Sequence, residues 1–262
     1  MAVLPAVASL CASGRTRALR ERLAALVHGL FPPTCYLCLD PGQPPALDLC
    51  LACEQELPWL GCCCAVCAMP TPQAVERCAR CDAAPHLFDA ACVACRYEYP
   101  VIELIHRMKY RGELALARVL GTVLGHRLVT RVGPRPELVI PVPLHVARER
   151  ERGFNQAREL ARYAVRELGL PLADGLVRRL RVTAEQAALP AAERQANLRG
   201  AFVAGAEVAG RNVAIVDDVL TTGATADALA AALFAAGAHR VEVWAVARAI
   251  GYPPAPAVQS YR

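Results

Sequence analysis

Two carboxylates, Asp217 and Asp218, stand side by side between the apolar run Val213-Ala214-Ile215-Val216 and the turn Thr221-Thr222-Gly223-Ala224-Thr225. Four apolar residues in a row read as a strand buried on both faces, ending where the acids begin. Gly223 lets the backbone turn tightly and leaves N–H groups bare, and the hydroxyls of Thr221, Thr222 and Thr225 add donors. The Ala- and Leu-rich stretch from Ala226 to Ala236 reads as a helix, whose first turn has further unpaired N–H groups. Such a nest with a helix N-terminus behind it suits phosphate. The acids would repel a phosphate, so they are expected to face another part of the ligand: a sugar diol, a magnesium ion, or both. A ribose 5-phosphate satisfies the whole set. The plainer alternative is a strand that ends in a solvated Asp-Asp turn.

A second chemistry lies upstream. Four C-x-x-C pairs follow one another: Cys35/Cys38, Cys50/Cys53, Cys64/Cys67 and Cys78/Cys81. Each spacing makes a tight knuckle that presents two thiolates to one tetrahedral ion, and the short loops between knuckles suit zinc ribbons. The simplest pairing joins the first two knuckles around one structural zinc and the last two around another. An interleaved pairing, or a module holding one ion, is equally compatible with the spacing, and Cys62 and Cys63 blur the register of the third knuckle. Free or disulfide-linked cysteines are the alternative; thirteen cysteines, most of them in C-x-x-C pairs, read as a metal pattern rather than a disulfide framework. Cys92 and Cys95 share the spacing but sit in Leu87–Tyr97, which reads as a strand. Residues three apart on a strand face opposite ways, so both read as small buried residues.

The elements that must position these groups follow from periodicity. Residues 15–30 read as an amphipathic helix with Leu19, Leu23, Leu26, Val27 and Leu30 on one face and several arginines near its start. Its expected role is packing, with a DNA-touching arm as the alternative. A helix from Pro100 to Tyr110-Arg111-Gly112 turns Val101, Ile105 and Met108 inward, and another runs from Glu113 to about Thr130. Leu138–Val142 begins as a buried strand, and Phe154–Leu168 has helical apolar spacing. Further strands are expected at 201–203, 212–216 and 240–245. Strands alternating with helices predict an α/β domain built on a parallel sheet. The organisation expected is a helix over 1–30, a double zinc ribbon over 31–86, the α/β domain over 87–250 and a Pro-rich tail over 251–262.

Length leaves room for one core domain and a smaller module. The formal charge of +5 is too small to argue for nucleic-acid binding by itself, and Lys109 is the only lysine. No apolar run is long enough to span a bilayer. The apolar Met1–Leu10 lacks the basic start of a signal peptide, so a cytoplasmic protein is expected, without membrane insertion.

Between strand and helix, Pro141-Val142-Pro143-Leu144-His145 leads into Arg148-Glu149-Arg150-Glu151-Arg152-Gly153-Phe154-Asn155-Gln156. A proline-bounded turn followed by arginines and an Asn/Gln pair can hold pyrophosphate, although the interleaved acids would also make Arg148 and Arg150 a self-paired, solvated face. The run VAIVDDVLTTGAT resembles the phosphoribosyl-pyrophosphate loop of type I phosphoribosyltransferases. Together with PVPLH, RGFNQ, the Cys pairs and a block with Arg179, Thr183, Gln186, Leu189, Arg194, Asn197 and Gly200-Ala201-Phe202, it resembles the ComF family. That family joins a Cys-rich zinc module to a phosphoribosyltransferase-like domain and includes proteins named for natural competence. Ala147 and Glu149 depart from its basic pattern after PLH.

The resemblance implies a type I phosphoribosyltransferase-like sheet flanked by helices. It implies that Asp217 and Asp218 hold the ribose 2- and 3-hydroxyls and that Thr221, Thr222, Gly223, Ala224 and Thr225 hold the 5-phosphate. The segment with Pro143, Arg148, Arg152, Asn155 and Gln156 would approach pyrophosphate, and Arg179, Gln186, Arg194 and Asn197 would belong to a mobile cover. As an enzyme, the chain would take phosphoribosyl pyrophosphate with magnesium and pass the ribosyl group to an acceptor, the two acids stabilising the cation that develops on the ring. The rival reading is a non-catalytic sensor of that ligand, or an adaptor whose zinc ribbons dock single-stranded DNA or a DNA-processing protein such as a helicase.

Overall fold

The computed structural model describes residues 32–44, 47–180 and 200–251. The helix expected over 15–30, the tail after 251, and Gln186, Arg194 and Asn197 lie outside the described residues. The chain divides into two compact units, Met1–Gln55 and Glu56–Arg262.

In the smaller unit, two isolated bridges, Thr34 with Pro41 and Gln43 with Leu47, precede the short helix α1 (Leu51–Gln55). Gln43 ties them together, its Nε2 donating to the Leu49 carbonyl at 3.0 Å and to Glu54 at 2.6 Å.

The larger unit opens on the third and fourth Cys knuckles and the short helix α2 (Ala79–Ala83). Four strands follow in a parallel sheet: β1 (Ala90–Arg96), β2 (Leu138–Pro141), β5 (Asn212–Leu220) and β6 (Arg240–Arg248), in the order β1-β6-β5-β2. The expected parallel α/β architecture is therefore present. Helices α3 (Val101–Arg111) and α4 (Ala115–Val129) link β1 to β2. After β2 come a short α5 (Val146–Arg152) and then α6 (Gln156–Leu168). Helix α7 (Ala224–Ala235) links β5 to β6.

Helices α4 and α6 pack closely. A Cβ on Gly121 would lie 2.6 Å from the Leu160 carbonyl oxygen, so only glycine permits this approach. On the sheet's other face, Val213, Ile215, Val241 and Val243 share one core with Leu229 and Leu233 of α7. Burying each such side chain contributes about 1.5–3 kcal/mol, which holds α7, and the turn that starts it, against β5.

Two expectations change. The segment near 201–203 forms β4 (Phe202–Ala204), but it pairs antiparallel with β3 (Val177–Arg179) in a separate two-stranded sheet. Apolar residues at its ends resemble those of a parallel strand, yet only Phe202 of the three is buried. Strand β5 does not stop at Val216 but runs on through both acids to Leu220, pairing Asp217 with Ala245 and Val219 with Ala247 of β6. The arginine-rich stretch after His145 forms the helix α5. The His145 Nδ1 accepts the Ala147 N–H at 3.1 Å as its cap, and Gly153, at φ 84°, ends it.

Candidate functional site at the carboxyl end of the sheet

Because β5 continues through the acids, the two-residue period of a strand sends their side chains to opposite faces. Asp217 shares the α7 side with Ile215 and borders a small cavity of about 30 Å³ with Val142, Thr221, Gly223, Thr225 and Ala226. Asp218 is buried and pairs at 2.6 Å with Nζ of Lys109, near the end of α3. Each acid also accepts a backbone N–H, that of Asp218 on Asp217 Oδ1 and that of Val219 on Asp218 Oδ1, both at 2.8 Å.

Their electrostatics diverge accordingly. Burial, then the neighbouring Asp218 charge, push Asp217 up to about 7, while Lys109 works in the opposite direction. Burial opposes the charge on Lys109, but the Asp218 carboxylate outweighs it and raises the lysine's pKa, so Lys109 is a fixed cation. Arg179 on β3 stacks over Phe202 at 5.5 Å; burial lowers its pKa and the Asp217 charge raises it. The sheet thus gathers two acids, a lysine and an arginine at one end.

The turn after β5 is the one in which the sequence predicts a phosphate nest. Thr221 and Thr222 are exposed, Gly223 has φ 87°, and the 12-residue helix α7 begins at Ala224. Thr222 Oγ1 accepts the Ala224 N–H at 3.3 Å. A Cβ on Gly223 would meet His86 Cε1 at 2.6 Å, so the residue is excluded from change twice over, by φ and by space.

On the other side of β5 lies a wider cleft of about 260 Å³ lined by Lys109, Tyr110, Gly112, Arg148, Glu151, Arg152 and Phe154. Arg148 and Arg152 both line it. The acids of α5 do not simply neutralise them: Glu149 pairs with Arg158 at 2.7 Å, and Arg148 meets Glu151 only at 3.9 Å. Arg152 donates to Gln156 Oε1 at 2.6 Å and lies 5.9 Å from the Tyr110 ring centre. Asn155 is placed differently. It is buried, its Oδ1 caps α6 by accepting the Ala157 and Arg158 N–H groups, and its Nδ2 donates to the Val142 carbonyl. In this structure its amide holds the Pro143 segment to α6 and does not line the cleft. Arg179, assigned by resemblance to a mobile cover, sits on β3.

Lys109 was not among the residues the sequence singled out for the site. Its signal was available: it is the one lysine of an arginine-dominated chain, inside the helix that follows β1.

Among the described residues, two groups of cysteines can hold metal: Cys35, Cys38, Cys50 and Cys53 in the smaller unit, and Cys64, Cys67, Cys78 and Cys81 in the larger. The sequential pairing is the one formed. Four sulfurs about 2.3 Å from a tetrahedral zinc lie about 3.8 Å apart; the separations here include 3.6 Å for Cys38–Cys50, 3.7 Å for Cys67–Cys78 and Cys78–Cys81, and 4.0 Å for Cys64–Cys81. The residues fit the ion, and no disulfide has such spacing. Burial opposes the Cys35 thiolate, but the N–H groups of Cys50, Cys38 and Leu37 outweigh it and bring the thiol down to about 6. Cys92 and Cys95 belong to neither group; burial pushes them up to about 11 and 12.

The phosphoribosyl transferase domain family matches residues 152–257. The DNA utilization protein YhgH of Shigella flexneri is 34% identical over 84% of this chain and 98% of its own length. Competence protein F of Haemophilus influenzae is 32% identical over 77% of this chain and 90% of its own. The chain belongs to the ComF family. Among solved structures, this ComF-family chain is similar to an allosteric regulatory enzyme of purine biosynthesis (TM-score 0.32, 23% identity, 50% of this chain and 26% of that one). It is also similar to the protein TT1426 from Thermus thermophilus (TM-score 0.30, 22% identity, 55% and 85%). Those scores are too low to bear on the fold, which rests on the sheet topology and the family match.

Proposed function

We propose that this protein binds phosphoribosyl pyrophosphate together with magnesium and transfers the phosphoribosyl group to an acceptor. The observation that carries the reading is one juxtaposition. A phosphate-sized nest, Thr221–Thr225, opens a helix directly beyond a strand whose last turn of chain bears Asp217 and Asp218, with a basic cleft alongside. Thr221, Thr222 and the N–H groups of the turn up to Thr225 would take the 5-phosphate, which would displace the Ala224 N–H from Thr222 Oγ1. Asp217, poised between its two protonation states at neutral pH, accepts from the ribose hydroxyls as a carboxylate. Asp218 acts on the same ring only by sharing its charge between ligand and Lys109.

Lys109, Arg148 and Arg152 would face the pyrophosphate, where negative charge builds as the C1–O bond breaks and the acceptor's lone pair bonds to C1. Removing one such donor typically costs on the order of 100-fold in rate. Magnesium, which the oxygen donors here suit, supplies further neutralisation of the leaving group. The two four-cysteine groups would each hold a structural zinc. The names of the relatives support a role in DNA uptake or use. No described helix is long and apolar enough to cross a membrane.

The test is release of pyrophosphate from the ligand with a panel of base and amine acceptors, with and without single-stranded DNA. Turnover with one acceptor is the expected result. Tight binding without turnover for any acceptor would replace the transferase by a sensor.

A further inference from the structure

The third and fourth Cys knuckles are joined to the phosphate nest by one buried side chain. Arg248, the last residue of β6, is 2% exposed. Its Nε donates to the Cys67 carbonyl at 2.8 Å, while its Nη1 faces the carbonyls of Leu220 at 2.7 Å, Ala249 at 2.8 Å and Thr221. One guanidinium therefore clamps a metal-bearing knuckle to the first residue of the nest. A guanidinium holds the donors of its separate nitrogens in a rigid plane, whereas an ammonium presents its donors from a single atom at the end of a flexible stem.

A second strut runs from the same knuckles to the other end of the turn. His86 follows the fourth knuckle closely and stacks on Phe88 at 4.6 Å. Its Nδ1 donates to Asp227 Oδ2 at 2.9 Å, and the second oxygen of Asp227 accepts the Leu87 N–H at 2.8 Å. Asp227 lies in the first turn of α7, and the imidazole covers Gly223. Arg248 fixes where the turn leaves β5, and His86 fixes where it enters α7.

Zinc holding Cys64, Cys67, Cys78 and Cys81 at one point would immobilise the Cys67 carbonyl that Arg248 grips. We propose that the Cys64–Cys67–Cys78–Cys81 centre sets the geometry of the Thr221–Thr225 turn through Arg248, a positioning residue, so that affinity for a phosphoribosyl ligand tracks the state of that centre. The ligand part rests on the function proposed above. The mechanical part does not. Loss of the metal by chelation then loosens the nest without altering any residue that touches ligand.

Two measurements on the full chain test this. The first is amide hydrogen exchange of the peptide spanning Leu220–Ala226, compared between zinc-loaded wild type, zinc-loaded Arg248→Lys and wild type stripped by chelator under reducing conditions. The expected result is exchange faster by about tenfold or more in both altered samples, the order of one lost charge-assisted hydrogen bond, with zinc content unchanged in Arg248→Lys. Unchanged exchange at this turn in folded Arg248→Lys overturns the proposal. The second is the rate at which a chromophoric chelator removes zinc from wild type. Coupling between sites is reciprocal, so phosphoribosyl pyrophosphate with magnesium should slow release of one zinc, and this protection should vanish in Arg248→Lys. Protection that survives intact in the variant overturns the role of Arg248. Failure of wild type to bind the ligand at all counts against the function proposed above, and the exchange comparison still decides this inference.

Discussion

Asp217 should make ligand binding depend on pH near neutrality. With burial and Asp218 pushing its carboxyl up to about 7, roughly half the ligand-free protein carries a protonated Asp217 at pH 7, and about one tenth carries the carboxylate at pH 6. A ribose diol donates to the carboxylate, so binding selects the ionised form and expels a proton. Affinity for phosphoribosyl pyrophosphate should therefore fall about tenfold, or about 1.4 kcal/mol, from its plateau above pH 8 down to pH 6. Lys109 and Arg179, the cations that act on Asp217, stay charged throughout this range. The ligand's own phosphates also titrate here, with a second pKa of about 6, so Asp217→Asn provides the subtraction. Calorimetry at pH 6 in two buffers of different ionisation enthalpy should show close to one more proton released by wild type than by Asp217→Asn. The stability of the free protein moves the other way. A carboxyl raised in the folded state above its unfolded value near 4 binds more protons when folded, so its contribution is present at pH 4–5 and is lost as pH rises towards 7. Equal proton release in the two proteins, with parallel pH profiles, would refute the reasoning.

Other outcomes follow from the same geometry. Asp218→Asn leaves Lys109 buried without its partner and should cost about 3 kcal/mol or more in urea denaturation, whereas pairing it with Lys109→Met should recover much of the loss; additive losses would contradict the ion pair. Gly223→Ala forces a Cβ into His86 at φ 87°, so it should lower stability by about 1–3 kcal/mol and weaken ligand binding further, read by thermal unfolding and calorimetry. Elemental analysis of the purified protein should find two zinc ions per chain, and Cys81→Ser should remove one of them; a metal-free wild type would discard both ribbon assignments.

The sequence made the chemistry more legible than its geometry. The run from Val213 to Thr225 announces strand, acids, nest and helix because each segment has its own local signal. C-x-x-C spacing likewise identifies the knuckles, and contiguity made the sequential pairing the simplest one without deciding it. The direction of Asp218 was hidden, because composition alone does not show that a strand continues through two charged residues. What permits it is a long-range fact, the Lys109 ammonium supplied from α3 across the sheet. Asn155 reads in the sequence as a ligand contact, and helix caps and anion sites favour the same residue types; its part as the cap of α6 emerges only from its Val142 and Ala157 partners. Strand β4 showed the hydrophobic pattern of a strand but not its partner, since antiparallel pairing with Val177–Arg179 is decided in three dimensions. The bond from Arg248 to Cys67 joins residues 181 positions apart, and no motif announces it.

The central claim is that the β5–α7 turn holds a phosphoribosyl ligand. Titrating phosphoribosyl pyrophosphate with magnesium into the full-length, zinc-loaded chain by calorimetry tests it most directly, alongside Asp217→Asn. We predict saturable one-to-one binding in wild type at pH 8 that is weakened about tenfold or more in the folded variant. No binding in wild type, or identical affinity in the variant, would contradict the account.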